Sequence, residues 1–200
     1  MKIRNFEDLN LQEVDTMREI SSIGTSHAAT ALSKFLQKEI RITLPQVSIL
    51  GYEDAVDRIG NIEEVVAATL VKMDGDVDGL MLFLSNTVLG KLLDKNYTSF
   101  EEMDALAYSA LEEVGNIIIC SHINAFSQLV DMNIHLSVPS STVNMLGGIL
   151  TVPIAEYGYE TDKLMYFNAD FVMEGKRLSD WLLMLPDIRS LNDILGKLGV

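Results

Sequence analysis

Asp15-Thr16-Met17-Arg18-Glu19-Ile20-Ser21-Ser22 and, 94 positions later, Ser109-Ala110-Leu111-Glu112-Glu113-Val114-Gly115-Asn116 carry one pattern of residue types. The same offset of 94 maps Ala31 onto Ala125 and continues into β-type sequence, where Pro45 meets Pro139. An offset held through a helical stretch and a strand-like stretch marks duplicated halves, each opening with a helix. The halves differ at one telling place. Glu19 is followed three residues on by Ser22, whereas Glu113 is followed by Asn116.

Working outward, residues from about Leu11 to Gln37 lack proline and space Val14, Met17, Ile20, Ile23 and Ala31 as one helical face. Asn10, three residues before Glu13, approximates a capping box at the start. The counterpart is expected from about Phe100 to Val130, with Ser99 and Glu102 as its capping box. After the first helix, Glu39 to Leu50 alternates like a strand, Tyr52 to Ile62 reads as a polar loop, and Glu64 to Met73 pairs with Gly79 to Leu84 as a hairpin. Ser85 is a candidate cap for a short helix through Lys95. The second half is expected to form strands near Ile134 to Val143, Ile149 to Pro153, Leu164 to Met173 and Leu178 to Leu185, then a short helix after Pro186-Asp187.

The predicted fold is therefore α+β: one domain over residues 1–200, with pseudo-two-fold related halves at about 10–97 and 99–200. Two long helices pack on an antiparallel or mixed sheet.

Composition narrows the function. The chain has 200 residues, 48% of them hydrophobic, enough for one substantial core. A formal net charge of -14 argues against nucleic-acid binding, which needs clustered Lys and Arg, and against anionic membrane surfaces. A partner with a basic rim suits it better. Cys120 is the one cysteine, so no intrachain disulfide forms. The first residues lack a signal-peptide apolar core, and no apolar run reaches membrane-spanning length. A soluble cytoplasmic protein is expected.

At about 100° per residue, Ser109, Glu113, Asn116 and Cys120 fall within an arc of roughly 60°, away from the apolar face. Asp15, Glu19 and Ser22 share the same register on the first helix. A solvated face would explain one such pair; a repeat of it is harder to dismiss. A carboxamide neither titrates near neutrality nor attacks as a nucleophile, so Asn116 is no general base. It can hold a water by donating and accepting hydrogen bonds. An exposed, ionised Glu113 suits a Lys or Arg of a partner. The pair fits a reaction at another protein's phosphoryl centre.

These segments resemble the [D/S]-x-x-x-E-x-x-N signature of the CheC/CheX/FliY family of chemotaxis phosphatases, and Ala28-Ala29-Thr30-Ala31-Leu32-Ser33 adds to the likeness. Two motifs favour the CheC type over single-site CheX, and the length leaves no room for the switch domain expected of FliY. The resemblance implies a hydrolase acting on the aspartyl phosphate of the response regulator CheY-P. It implies that Asn116 orients the attacking water and Glu113 engages a CheY lysine, with Asp15 and Ser109 as flanking motif positions. No cofactor of the chain's own is implied; Mg²⁺ would be carried by CheY. CheD is implied as a regulatory partner. The first motif departs from the pattern, since Ser22 stands where the family has Asn. A serine hydroxyl reaches less far and has no amide donor, so Glu19 and Ser22 are expected to form a weak or inactive second site. The rival expectation is a non-enzymatic adaptor that binds CheY-P or CheD.

Other constellations point to structure. Asp74-Gly75-Asp76-Val77-Asp78-Gly79 imitates an EF-hand opening but has Ser85 where a bidentate Glu belongs, so a hairpin turn is expected. His27, His122 and His135 lack metal-ligand spacing, and no metal site is expected. Cys120 has no basic sequence neighbour to activate it and reads as structural, and the ten Met residues read as core filler. A small-ligand sensor between the halves finds no polar cluster in the sequence to support it.

Overall fold

Helix α1 (Leu11–Leu36) starts where the sequence places it. The Asn10 side chain accepts from the backbone N–H groups of Gln12 and Glu13, at 2.8 and 3.1 Å, and the Glu13 carboxylate accepts from the Asn10 N–H at 2.6 Å. This reciprocal pairing satisfies donors that a bare helix start leaves open. These features belong to a computed structural model, which describes residues 8–43, 45–85, 99–157, 163–173 and 175–199. Helix α3 (Ala105–Val130) is the counterpart, and each helix is 26 residues long. Both stop at a residue in the left-handed region, Gln37 (φ 53°) and Asp131 (φ 49°), again 94 positions apart. The expected Ser99/Glu102 capping box does not start α3. Phe100–Glu102 form a single 3-10 turn without a side-chain cap, Met103 is extended, and Asp104 caps α3 by accepting from the Ala107 N–H at 2.8 Å.

Behind each helix comes a broken strand. In the first half these are β1 (Ile40–Ile42) and β2 (Gln46–Gly51); in the second, β5 (Ile134–Leu136) and β6 (Ser140–Met145). Pro45 and Pro139 lie in the breaks, each lacking the N–H a ladder needs. Each half then adds a short helix, α2 (Tyr52–Ile59) or α4 (Leu146–Tyr157), and a hairpin, β3 (Val65–Gly75) with β4 (Gly79–Ser85) or β7 (Lys163–Met173) with β8 (Lys176–Pro186). Helix α5 (Ile188–Leu198) closes the chain, capped by Asp187, which accepts from the Ser190 N–H at 2.6 Å.

Two elements differ from the sequence expectation. Tyr52 to Ile62 is not a polar loop: its acidic residues face solvent while Ala55, Val56 and Ile59 bury one face of α2. Ile149 to Pro153 is not a strand but part of α4, where Leu146, Ile149, Leu150 and Pro153 bury at helical spacing. A short apolar run has no period that separates strand from helix. The helix expected from Ser85 to Lys95 lies outside the described residues.

The eight strands form one sheet in the order β1-β7-β8-β4-β3-β5, with β2 also on β7 and β6 also on β3. Every pairing among the described strands is antiparallel. The halves interlock: β1 and β2 pair with the second half's hairpin, and β5 and β6 with the first half's. At the centre β4 meets β8, with Leu82 opposite Leu183. The pleat sends alternate residues to opposite faces. Met81, Phe83, Leu182 and Met184 join α1, α3 and α5 in one core, while Leu80, Leu82, Trp181 and Leu183 join α2 and α4 in a second. The molecule is thus a three-layer α+β fold, with α1 and α3 side by side on one face of the sheet.

Candidate functional site on helices α1 and α3

Close contacts fix α3 against its surroundings. Gly115 packs onto Thr69 of β3, where an added Cβ would meet the Thr69 hydroxyl oxygen and, at 2.7 Å, its Cβ. Across the helix pair, a Cβ on Gly24 would lie 2.9 Å from the His122 Cα. Beside that crossing, Thr25 Oγ1 lies 2.8 Å from His122 Nε2, and His122 Nδ1 lies 3.0 Å from the Ile118 carbonyl oxygen. A carbonyl only accepts, so Nδ1 carries the ring proton in the neutral imidazole. Burial pushes the His122 pKa down to about 4, against a lesser upward pull from the Ile118 carbonyl.

With α3 held in this way, Ser109 and Glu113 are exposed and Asn116 and Cys120 are partly exposed, along one stripe. On α1, Asp15 and Glu19 are exposed and Ser22 is partly exposed. The structure therefore brings each predicted group to the surface in the register the sequence gives it. The two stripes differ in chemistry. Asp15 is held by Arg18 in an exposed ion pair of 2.8 Å, while the position equivalent to Arg18 is Glu112. The α1 stripe thus carries a cation next to its Glu, and the α3 stripe a second acid.

Two features escaped the sequence. Cys120, read as structural, donates its thiol hydrogen to Asn116 Oδ1 at 3.2 Å. Burial first, and then the Glu113 charge, raise the Cys120 pKa, so the thiol keeps its proton at neutral pH. The i,i+4 spacing was the available signal. Second, Ser21, Thr25 and His122 do form a polar cluster between the halves, brought together from two helices distant in sequence. The adjoining cavities they line are otherwise walled by apolar groups such as Phe167 and Leu182, and each has a volume of about 20 Å³. That is room for a water, not for a metabolite. Among the described residues, Ser21 Oγ is buried without a hydrogen-bond partner.

The EF-hand-like stretch is a hairpin turn between β3 and β4, where Asp76 accepts from the Asn133 N–H at 2.8 Å and Asp78 pairs with Arg189 at 2.7 Å. Among the described residues, no three His, Cys, Asp or Glu side chains gather as a metal site, and no helix is long and apolar enough to cross a membrane.

Residues 13–49, which span the first motif and run through β1 into β2, match the model of the CheC-like family. The chain is also 25% identical to the CheY-P phosphatase CheC of Bacillus subtilis (strain 168), over 97% of both sequences. The likeness to CheC thus runs the length of the chain. Among solved structures, Thermotoga maritima FliY superposes on this chain with a TM-score of 0.72 at 21% identity, over 95% of this chain and 98% of that one. The FliM middle domain from H. pylori follows at a TM-score of 0.64 and 11% identity, over 94% and 99%. At such identities these two likenesses speak for the fold alone.

Proposed function

We propose that this chain hydrolyses the aspartyl phosphate of a CheY-type response regulator, working from the outward stripe of α3. The observation that carries this reading is the placement of a partly exposed Asn116 one turn from an exposed Glu113 on a rigidly packed helix. The relative named as a CheY-P phosphatase supports the same substrate.

In the proposed reaction, Asn116 orients a water in line with the bond between phosphorus and the aspartyl oxygen. The water oxygen bonds to phosphorus, that P–O bond breaks, the aspartate leaves as carboxylate, and both of the water's protons stay on the phosphate, which departs as dihydrogen phosphate. Asn116 contributes position rather than proton transfer. Glu113 grips a lysine of the regulator through a charge-assisted hydrogen bond. The phosphoryl group and the Mg²⁺ that neutralises it belong to the regulator, so the chain needs no metal of its own. Glu19 and Ser22 make a second, degenerate site: Glu19 still engages a cation, but Ser22 lacks the amide that holds the water. CheD is the proposed regulatory partner, from the family resemblance. Such a substrate places the activity in the cytoplasm.

The test is phosphate release from CheY-P by catalytic amounts of the chain. Many equivalents released per chain, faster than spontaneous decay, are expected. Release that never exceeds the spontaneous rate would leave an adaptor that only binds.

A further inference from the structure

Resting on that reading, the geometry points to Cys120 as a positioning residue for Asn116: its thiol donates to the carboxamide oxygen and turns the amide N–H groups toward the reacting water. An asparagine side chain has a broad, two-fold terminal torsion, so its oxygen and nitrogen exchange places readily unless a neighbour selects one orientation. Here the neighbour lies one turn toward the C-terminus. Cys120 Sγ is 3.2 Å from Asn116 Oδ1, and both side chains are partly exposed on the same stripe. A protonated thiol has one hydrogen to donate, and of the two amide atoms only the oxygen accepts it. It can do so only while protonated, and burial together with the Glu113 charge keeps it protonated.

The equivalent positions of the first half carry neither the thiol nor the carboxamide. Ser26 occupies the position equivalent to Cys120, and its hydroxyl donates to the Ser22 backbone carbonyl at 2.8 Å instead of to a side chain. Back-bonding of this kind is common for helical serines. Cys120 instead meets the carboxamide of Asn116, a group that the α1 stripe does not offer. The α1 stripe therefore lacks both the amide and the group that would orient it.

Alanine is the informative substitution, because Ser26 shows that a hydroxyl in this register turns to the backbone. Cys120→Ala should lower kcat on CheY-P about three- to tenfold, the scale of one lost hydrogen bond, and leave KM within about twofold. It should also shift the Asn116 side-chain amide pair in a ¹H–¹⁵N spectrum, a signal identified by its loss in Asn116→Ala. Capping the thiol of the unmodified chain as a methyl disulfide should reproduce the kcat loss, Cys120 being the sole target. Unchanged kcat in Cys120→Ala, or a kcat loss with the Asn116 amide signals unmoved, would overturn the assignment. Asn116→Ala assayed in parallel separates the two levels. If that variant keeps stimulated hydrolysis, the phosphatase reading itself has failed.

Discussion

Asn116 and His122 sit six residues apart on α3 and show how differently one helix can treat two polar groups. Asn116 reaches solvent, while His122 turns into the α1 interface between Thr25 and the Ile118 carbonyl. Desolvation holds the His122 pKa at about 4, against an ordinary value of 6.5. Above pH 6.5 the ring is neutral folded or unfolded, and the native state keeps its full stability. As pH falls toward 4, the unfolded chain takes up a proton that the native ring refuses, so stability drops by up to roughly 3 kcal/mol. Denaturant unfolding across that range should show the loss, and His122→Gln should reduce its slope. The Glu113/Asn116 pair was legible in the sequence because i,i+3 spacing alone puts both on one side of a helix. The Cys120–Asn116 contact was not, since a rotamer decides it. Nor was the Thr25–His122 contact, which depends on how two helices cross.

Among the elements, α3 depends on a residue with no side chain. Gly115 lets the helix lie against Thr69, and it immediately precedes Asn116. Gly115→Ala gains helix propensity but drives a methyl into the Thr69 side chain, whose hydroxyl is 3.0 Å from that of Ser141. Overpacking against a strand outweighs propensity, and a net destabilisation of about 1–3 kcal/mol is expected by chemical denaturation. A stabilised variant would show that the close approach is relaxed in solution. Long helices with clear caps were readable from sequence, as Asn10 with Glu13 illustrates. The short helices were not. In α2 three buried residues sit among four charged ones, and in α4 an apolar run carries a proline, so neither composition nor period separated helix from loop or strand.

For the whole molecule, the repeat seen in the sequence becomes an exchange of strands: each half's short strands complete the other half's side of the sheet. No register in a single chain announces which hairpin a strand will join, so this interlocking was invisible beforehand. It has a consequence for folding. Trp181, the sole tryptophan, lies in β8 and faces the core beneath α2 and α4, between elements of both halves. Unfolding followed by its fluorescence should coincide with loss of helix by circular dichroism, in one cooperative transition. Two separated transitions would mean that the halves hold together independently.

At this scale the fold presents two copies of one helical surface and equips only one of them with a carboxamide. The most direct measurement is stimulated phosphate release from CheY-P by Asn116→Ala and Ser22→Ala, each compared with the unmodified chain. Asn116→Ala should abolish most of the stimulation and Ser22→Ala should change little. Equal losses from the two substitutions, or undiminished release by Asn116→Ala, would contradict it.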